Sequence, residues 1–483
     1  MPNLDGTGSF RIPEPREPVA IVGLGVSGRA MARHLLGRRV RVAGLDSGLD
    51  PRIADTDSDL AALVGAGLEL RLGPDALSEA KHFETVFVTP GLPKQHPDLV
   101  RARAEGAILT GEIPYVLARC PVPTLGITGS AGKTTTTTLL GDMLARSGIP
   151  AFVGGNIGRP AVEVLSDSKT ARSAHAVLEL SSFQLDLSRL SPRIAALLNL
   201  APNHLDVHPS FADYRRAKLE ILRHQGADDE AVTSADHPVE GADEAGRARR
   251  RWRFGLDATS VPMGTTIKDG SVIYRDGNTE RRLFAVGIVH LPGRHNLENV
   301  LAATLLALLA GADSAAVEEA VRAFRGVPHR LQVVHEEGGI RYIDDSIATA
   351  PDRTLAALAS VEGPIVLIAG GSDKGLDFRP LGPAIRDRVR VLLTMGPTGP
   401  AIAQASAEAG GPSSLACRDL ADAVRRARLL AKPGDTVLLA PASASFDQFP
   451  NYAVRGETFA RLVREVSGES RPGVGERAGA GFA

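Results

Sequence analysis

The sequence predicts an α/β protein of three domains: a Rossmann-like first domain, a central domain of the P-loop ATPase type and a third α/β domain. Three observations predict it. Short, near-continuous apolar runs recur, each followed by a helical pattern, as parallel strands buried on both faces require. Two of these runs end in glycine-rich turns that open helices, at 23–28 and 129–133. Proline-bearing breaks at Cys120-Pro121-Val122-Pro123 and Gly326-Val327-Pro328-His329-Arg330 separate the three alternations.

Composition narrows the class. A chain of 483 residues has room for two to four domains. Its net charge of −1 gives no long-range pull toward nucleic acid or a membrane surface. Aromatics are only 4%, so the cores must be aliphatic. Cys120 and Cys417 lie far apart, which argues against a disulfide framework and for a reducing compartment. The first residues are polar and proline-rich, unlike a signal peptide, and no apolar run is long enough to span a bilayer. A cytoplasmic multidomain enzyme is expected. Of 55 basic residues only eight are lysine, so a lysine beside a motif points to a need for an ammonium or its neutral amine.

Residues 1–17 read as a disordered lead, and the first domain as 18–121. There the strand Ala20-Ile21-Val22 runs into Gly23-Leu24-Gly25-Val26-Ser27-Gly28, a helix follows, and a second strand ends at Asp46. This is a dinucleotide-like βαβ fingerprint, with an acid about 20 residues on to meet a ribose hydroxyl. Taken alone it suggests NAD or FAD, although the same loop suits any nucleotide diphosphate. A further strand at 85–88 ends in Thr89-Pro90-Gly91, at the carboxyl edge of the sheet.

The central domain, 122–327, opens with Thr124-Leu125-Gly126-Ile127-Thr128-Gly129-Ser130-Ala131-Gly132-Lys133-Thr134-Thr135 and a helical run. Free N–H groups at a helix start, together with the helix dipole, favour an anion there. Gly129 and Gly132 let backbone approach a phosphate, Lys133 reaches the outer phosphates and Thr134 a magnesium ion. The strict phosphate-loop pattern requires glycine at 127, where Ile127 stands; the nearest glycine is Gly126. Downstream, Glu179 sits inside an apolar strand, where a charge is costly unless it meets a cation, so it reads as a metal ligand or a salt-bridged core residue. Asn199-Leu200-Ala201-Pro202-Asn203-His204-Leu205-Asp206-Val207-His208 follows the next strand. His204 and Asp206 suggest a metal or substrate loop, zinc having little support, and His208 reads as a surface residue. Lys218 lies on a helix over about 211–224, either solvated or functional, its scarcity favouring function. Region 228–290 reads as short strands and turns, and a long apolar helix starts near His295.

The third domain, 328–466, carries three polar strand ends: Asp344-Asp345-Ser346-Ile347-Ala348-Thr349, Gly370-Gly371-Ser372-Asp373-Lys374-Gly375 and Ser443-Ala444-Ser445-Phe446-Asp447-Gln448-Phe449. Loops from one sheet edge converge, and a lysine among hydroxyls suits a small carboxylate substrate. Residues 467–483 read as a disordered tail.

Taken together, these motifs resemble the ATP-dependent Mur ligases of peptidoglycan synthesis, and among them the glutamate-adding members. The resemblance covers about residues 18–465. Gly126-Ile127-Thr128-Gly129 through Thr135 is shared across that family, while Glu179-Leu180-Ser181-Ser182-Phe183-Gln184-Leu185 and Ser443 to Phe449 are particular to the glutamate-adding branch. The resemblance implies ligation of D-glutamate to UDP-N-acetylmuramoyl-L-alanine through an acyl phosphate, with ATP and two Mg2+ (Mn2+ as a substitute), no NAD, and a monomer. It also implies that the third domain is Rossmann-like.

Residue by residue, it assigns Val26, Ser27, Asp46, Ser47, Thr89, Pro90 and Gly91 to the uridine diphosphate pocket, and Asn156 and His204 to the rest of that substrate. Gly129, Ser130, Ala131, Gly132, Lys133, Thr134 and Thr135 would hold the ATP phosphates, Asn299 the adenine, and Arg330 and Asp345 the ribose and phosphate side. Lys133, Glu179, His204 and Lys218 would be catalytic. Thr134 and Glu179 would bind one magnesium; His204 and Lys218, as a carbamate, the other. Thr349, Lys374, Ser445, Phe446 and Tyr452 would hold glutamate. Two positions depart from the family pattern: Ala131, where asparagine is usual, and Ile347, where many members carry lysine. The second leaves addition of L-glutamate as an alternative. A nicotinamide dehydrogenase leaves the second glycine-rich loop without a purpose, and a GTPase switch needs the strict loop that Ile127 breaks. A non-catalytic sugar-nucleotide binder would have no use for Glu179, Lys218 and Lys374 together.

Overall fold

The computed structural model describes residues 14–50, 52–53, 57–166, 174–201, 208, 210–277, 279–291, 293–373 and 376–466. The chain divides into two compact units, Met1–Arg325 and Gly326–Ala483. Two sheets lie in the first unit and one in the second.

The first sheet has five parallel strands, in the order Glu69–Leu72, Val42–Asp46, Val19–Val22, Thr85–Val88, Ile108–Thr110. Its middle strand Val19–Val22 is buried throughout, as its uninterrupted apolar run requires. Strand order reverses between Val19–Val22 and Thr85–Val88, and such a switch point opens a crevice at the carboxyl ends of the strands. Residues 14–17, expected within a disordered lead, are fastened instead. The Arg16 N–H donates to Thr85 Oγ1 at 2.9 Å, and Glu17 pairs with Arg41 at 3.0 Å. Residues 1–13 and 467–483 lie outside the described residues.

The second sheet has nine strands. In spatial order they are Glu280–Ala285, Ser271–Asp276, Met263–Lys268, Arg250–Gly255, Glu230–Ser234, Ile194–Leu197, Thr124–Thr128, His175–Glu179 and Ala151–Gly155. The strands from Ala151–Gly155 through Met263–Lys268 are parallel, and the last two add an antiparallel meander. Helix Lys133–Arg146 packs on the apolar helix Arg294–Leu309, whose residues 299–307 are all buried. A helix apolar all round is stable only when enclosed.

Gly126 sits within the strand Thr124–Thr128, not in the turn. A Cβ there would lie 2.3 Å from Pro192 Cγ and 3.1 Å from Leu180 Cδ1. Its glycine serves packing, which explains why the glycine spacing departs from the strict phosphate-loop pattern.

The third sheet, in the second unit, runs Gln332–Glu337, Ile340–Asp344, Thr436–Leu439, Ile365–Gly370, Val389–Met395, Ser414–Ala416. Only its first pair is antiparallel. The expected strands and helices of the sequence reading are present with ends shifted by a few residues. The amphipathic helices Pro97–Ala104, Glu112–Arg119, Gly399–Glu408, Leu420–Leu430 and Tyr452–Val466 are additions.

Replacing Gly126 by alanine forces a methyl into the Pro192 ring. The Gly126→Ala variant is expected to lose about 1–3 kcal/mol of stability in urea unfolding, with KM for ATP unchanged because the position lies behind the loop.

Candidate active site

The phosphate loop is built from both ends. Gly132 is the N-cap of helix Lys133–Arg146, with φ 84° and no side-chain cap, and a helix start of this kind favours an anion. Alanine is disfavoured at this φ, and its Cβ would also strike Asn299 Oδ1 at 2.1 Å. Asn299 therefore lies against the loop itself, its Nδ2 donating to Asn296 Oδ1 at 3.3 Å. Ala131 is gripped by Asn199: the Ala131 N–H donates to Asn199 Oδ1 at 2.9 Å, and Asn199 Nδ2 donates to the Ala131 carbonyl at 3.1 Å. The loop thus holds its shape through backbone contacts, as alanine in place of asparagine demands. Ser130 Oγ donates to the Ala201 carbonyl and meets the Tyr214 hydroxyl, each at 3.0 Å. Thr134 is buried and Thr135 half-buried.

Two lysines converge on this loop. Lys133 Nζ donates to the carbonyls of Gly129 at 2.8 Å and Ser130 at 3.3 Å. Lys218, on helix Phe211–Arg223, is only 2% exposed, and its Nζ donates to Gly129 O at 3.0 Å and Thr128 Oγ1 at 3.1 Å. Burial holds the Lys218 amine well below the usual lysine range; Lys133 pushes the same way and Glu179 opposes.

Glu179 ends the strand beside Thr124–Thr128, paired with Ile127, and is 2% exposed. Its Oε1 accepts from Asn156 Nδ2 at 2.8 Å. Its Oε2 is buried without a hydrogen-bond partner among the described residues. A buried carboxylate oxygen without a partner suits a hard cation that takes oxygen ligands, such as Mg2+. No group of three or more His, Cys, Asp or Glu able to hold a metal occurs among the described residues. His204 and Asp206 lie outside the described residues.

His208 corrects an expectation. It is 6% exposed, not a surface residue: its Nε2 lies 3.0 Å from Ser182 Oγ and its ring stacks on Phe183 at 5.1 Å. Sequence alone placed it in a polar stretch, and helix packing around Tyr214 encloses it.

A cavity of about 550 Å³ opens at the switch point of the first sheet. Val26, Ser27, Asp46, Ser47, Thr89, Pro90, Gly91 and Asn156 all line it, as do Ile157, Gly158 and Gln184. The volume is that of a small-molecule site. Asp46 is committed to the backbone: its carboxylate accepts from the N–H groups of Leu24 at 2.8 Å and Gly48 at 2.9 Å. Ile157 and Gly158, beside the assigned Asn156, had an unused signal in the glycine-rich strand end Gly154-Gly155-Asn156-Ile157-Gly158, and Gln184 lies in the Glu179–Leu185 motif without having been assigned to the pocket.

In the second unit, two adjacent strand ends are tied by one residue that sequence reasoning missed. Arg455 is 1% exposed. It donates to Ser346 Oγ and O, each at 2.9 Å, to Ser443 O at 3.0 Å and to Ala444 O at 3.1 Å. Burial lowers its guanidinium to about 10. Around it, Ser445 is buried, Thr349 and Tyr452 are half-buried and Phe446 is 66% exposed. Burial pushes the Asp345 carboxyl up to about 6, and Arg330 pulls it down. The Asp345 carboxylate accepts from the Leu331 N–H at 3.0 Å. Lys374 lies outside the described residues.

Comparison with known proteins fits this geometry. Residues 17–111 match the Mur ligase MurD-like N-terminal domain, 127–307 the Mur ligase middle domain, and 329–443 the Mur ligase glutamate ligase domain. A UDP-N-acetylmuramoylalanine--D-glutamate ligase of Symbiobacterium thermophilum is 43% identical over 94% of this chain and 99% of its own. One from Acetivibrio thermocellus is 36% identical over 93% and 96%. Among solved structures, a murein peptide ligase from Psychrobacter arcticus is 18% identical over 92% of this chain and 98% of its own, with a TM-score of 0.50, a likeness of fold. The chain belongs to the Mur ligase family, on its MurD-like branch.

Proposed function

We propose that this chain is an ATP-dependent amide ligase of peptidoglycan precursor synthesis, which adds D-glutamate to UDP-N-acetylmuramoyl-L-alanine and releases ADP and phosphate. The observation that carries the reading is the continuity of one path. The cavity that begins at the Gly23–Gly28 loop includes Asn156, and Asn156 donates to the Glu179 carboxylate beside the phosphate loop. A sugar nucleotide held at the first loop therefore extends toward the γ-phosphate held at the second. The curated relatives, 34–43% identical, carry the D-glutamate name, which favours the D enantiomer over L despite Ile347.

In this reading Val26, Ser27, Asp46, Ser47 and Thr89 to Gly91 hold the uridine diphosphate. The alanyl carboxylate attacks the γ-phosphorus in line, giving an acyl phosphate and ADP. Lys133 exchanges the Gly129 and Ser130 carbonyls for phosphate oxygens, and the N–H groups from Gly132 to Thr135 receive charge on the transferring group. Thr134 and Glu179 would hold Mg2+, which would supply charge neutralisation at the phosphates. A second ion is assigned to His204 and Lys218. The Lys218 amine, kept neutral by burial, adds its lone pair to carbon dioxide and releases a proton, so a neutral amine becomes an anionic oxygen ligand. Asn299 is assigned to the adenine, and Arg330 and Asp345 to the ribose and phosphate side. Thr349, Lys374, Ser445, Phe446 and Tyr452 orient the glutamate. Its amine attacks the acyl carbon, and the tetrahedral intermediate collapses to amide and phosphate. The enzyme is proposed to work as a cytoplasmic monomer on small molecules. No described helix is long and apolar enough to cross a membrane.

ADP release is expected only when UDP-N-acetylmuramoyl-L-alanine and glutamate are both supplied, with D-glutamate preferred; release that ignores both substrates rules out the ligase reading, and a preference for L-glutamate reverses the assignment of chirality. The Lys218→Ala variant is expected to lose about 10²–10³-fold in kcat, with partial recovery on adding formate or acetate. Full activity of that variant without additive rejects the carbamate.

A further inference from the structure

One rare lysine has no place in the chemistry above. Lys94 follows the turn Thr89-Pro90-Gly91-Leu92, whose residues wall the cavity, and Lys94 itself does not line it. The Leu92 N–H donates to the Thr89 carbonyl at 3.3 Å, closing the turn. The Lys94 ammonium folds back and donates to that same Thr89 carbonyl at 3.2 Å and to the Leu92 carbonyl at 3.3 Å. Thr89 is fixed from behind, its Oγ1 donating to the Val22 carbonyl at 2.9 Å. Pro90 and Pro93 have no N–H to offer, so the side chain supplies donors that the local backbone lacks.

We propose that Lys94 is a positioning residue for the sugar-nucleotide substrate: its ammonium pins the turn that forms one wall of the cavity. This rests on the function proposed above. The pin also reaches beyond its own sheet, because Asp186, at the end of the short helix Ser182–Leu185, attracts Lys94.

The pin is titratable. Burial lowers Lys94 to about 8, and Asp186 opposes that shift. The other charged groups around it are Arg103 of helix Pro97–Ala104, Arg189 beyond Asp186, and Asp213, Arg216, Glu220 and Arg223 of helix Phe211–Arg223, with the imidazoles of His208 and His224. Glu220 is engaged by Arg223 and by His224, the latter at 2.7 Å, and Asp213 by Arg216 at 2.6 Å. Asp186 is thus the carboxylate that acts on Lys94, and the surrounding arginines keep their charge throughout. Since the folded value lies below that of a free lysine, the ammonium is present at pH 7 and is lost as pH rises through about 8. A neutral amine donates more weakly, so the wall loosens on the alkaline side.

The test is KM for UDP-N-acetylmuramoyl-L-alanine, with direct titration of the same compound, from pH 7 to 9.5 in wild type, Lys94→Arg and Lys94→Met. Wild-type KM is expected to rise about threefold to tenfold across that range, the scale of one weakened charge-assisted bond. Lys94→Arg should stay flat at the neutral wild-type value, because its charge does not titrate. Lys94→Met should show the raised KM already at pH 7, with kcat and KM for ATP unchanged. A wild-type KM in Lys94→Met at pH 7, or an alkaline rise that persists in either variant, overturns the assignment. If Lys94→Met does not fold, the comparison of wild type with Lys94→Arg decides. Failure of the wild type to bind the sugar nucleotide at any pH is a different result: it removes the proposed function, and this inference with it.

Discussion

Two lysines meet on one carbonyl oxygen. Lys133 and Lys218 both donate to Gly129 O, at 2.8 and 3.0 Å. Burial drives Lys218, 2% exposed, toward its neutral amine, and the nearby Lys133 ammonium pushes the same way. The rest of the site depends on that outcome. In the proposed mechanism a neutral Lys218 is the nucleophile toward carbon dioxide and Lys133 the phosphate ligand. Glu179 completes the set, since its Oε2 is buried without a hydrogen-bond partner among the described residues. Before ligands arrive, then, the loop has a cation, a neutral amine and a half-satisfied carboxylate, an arrangement that anionic phosphates and a divalent cation relieve together.

The scaffold repeats one device in each of its three sheets. In the first sheet, strand order reverses between Val19–Val22 and Thr85–Val88, and the cavity opens there. In the second, the phosphate loop leaves a central strand flanked by Ile194–Leu197 and His175–Glu179, whose ends supply Asn199 and Glu179. In the third, neighbouring strands end at Asp344, Leu439 and Gly370, and Arg455 binds two of their loops into one. Parallel strands deliver their carboxyl ends to a common edge, so residues far apart in sequence become neighbours.

Much of this was legible beforehand because it is local. The helix start at Gly132, the buried strands and the glycine loop at Gly23 depend on residues adjacent in the chain. The cavity wall residues were legible through family resemblance, and the structure gathers every one of them that it describes. His208 was misread because its partners, Ser182, Phe183 and Tyr214, come from two other segments, and nothing nearby in the chain signals burial. Arg455 was passed over for the same reason: it looks like any helix arginine until four oxygens from distant loops surround it.

By itself the sequence determined the fold class, the two glycine loops and the residue types of a ligase, since periodicity, glycine and proline act over a few residues. The tertiary structure decided what those residues are when they meet. It made Gly126 a packing residue against Pro192 and left Glu179 one oxygen short of partners. It also gave Lys218 and Lys94 different tasks. The physical reason is that protonation, desolvation and hydrogen-bond satisfaction are set by neighbours in space, which a linear pattern does not specify.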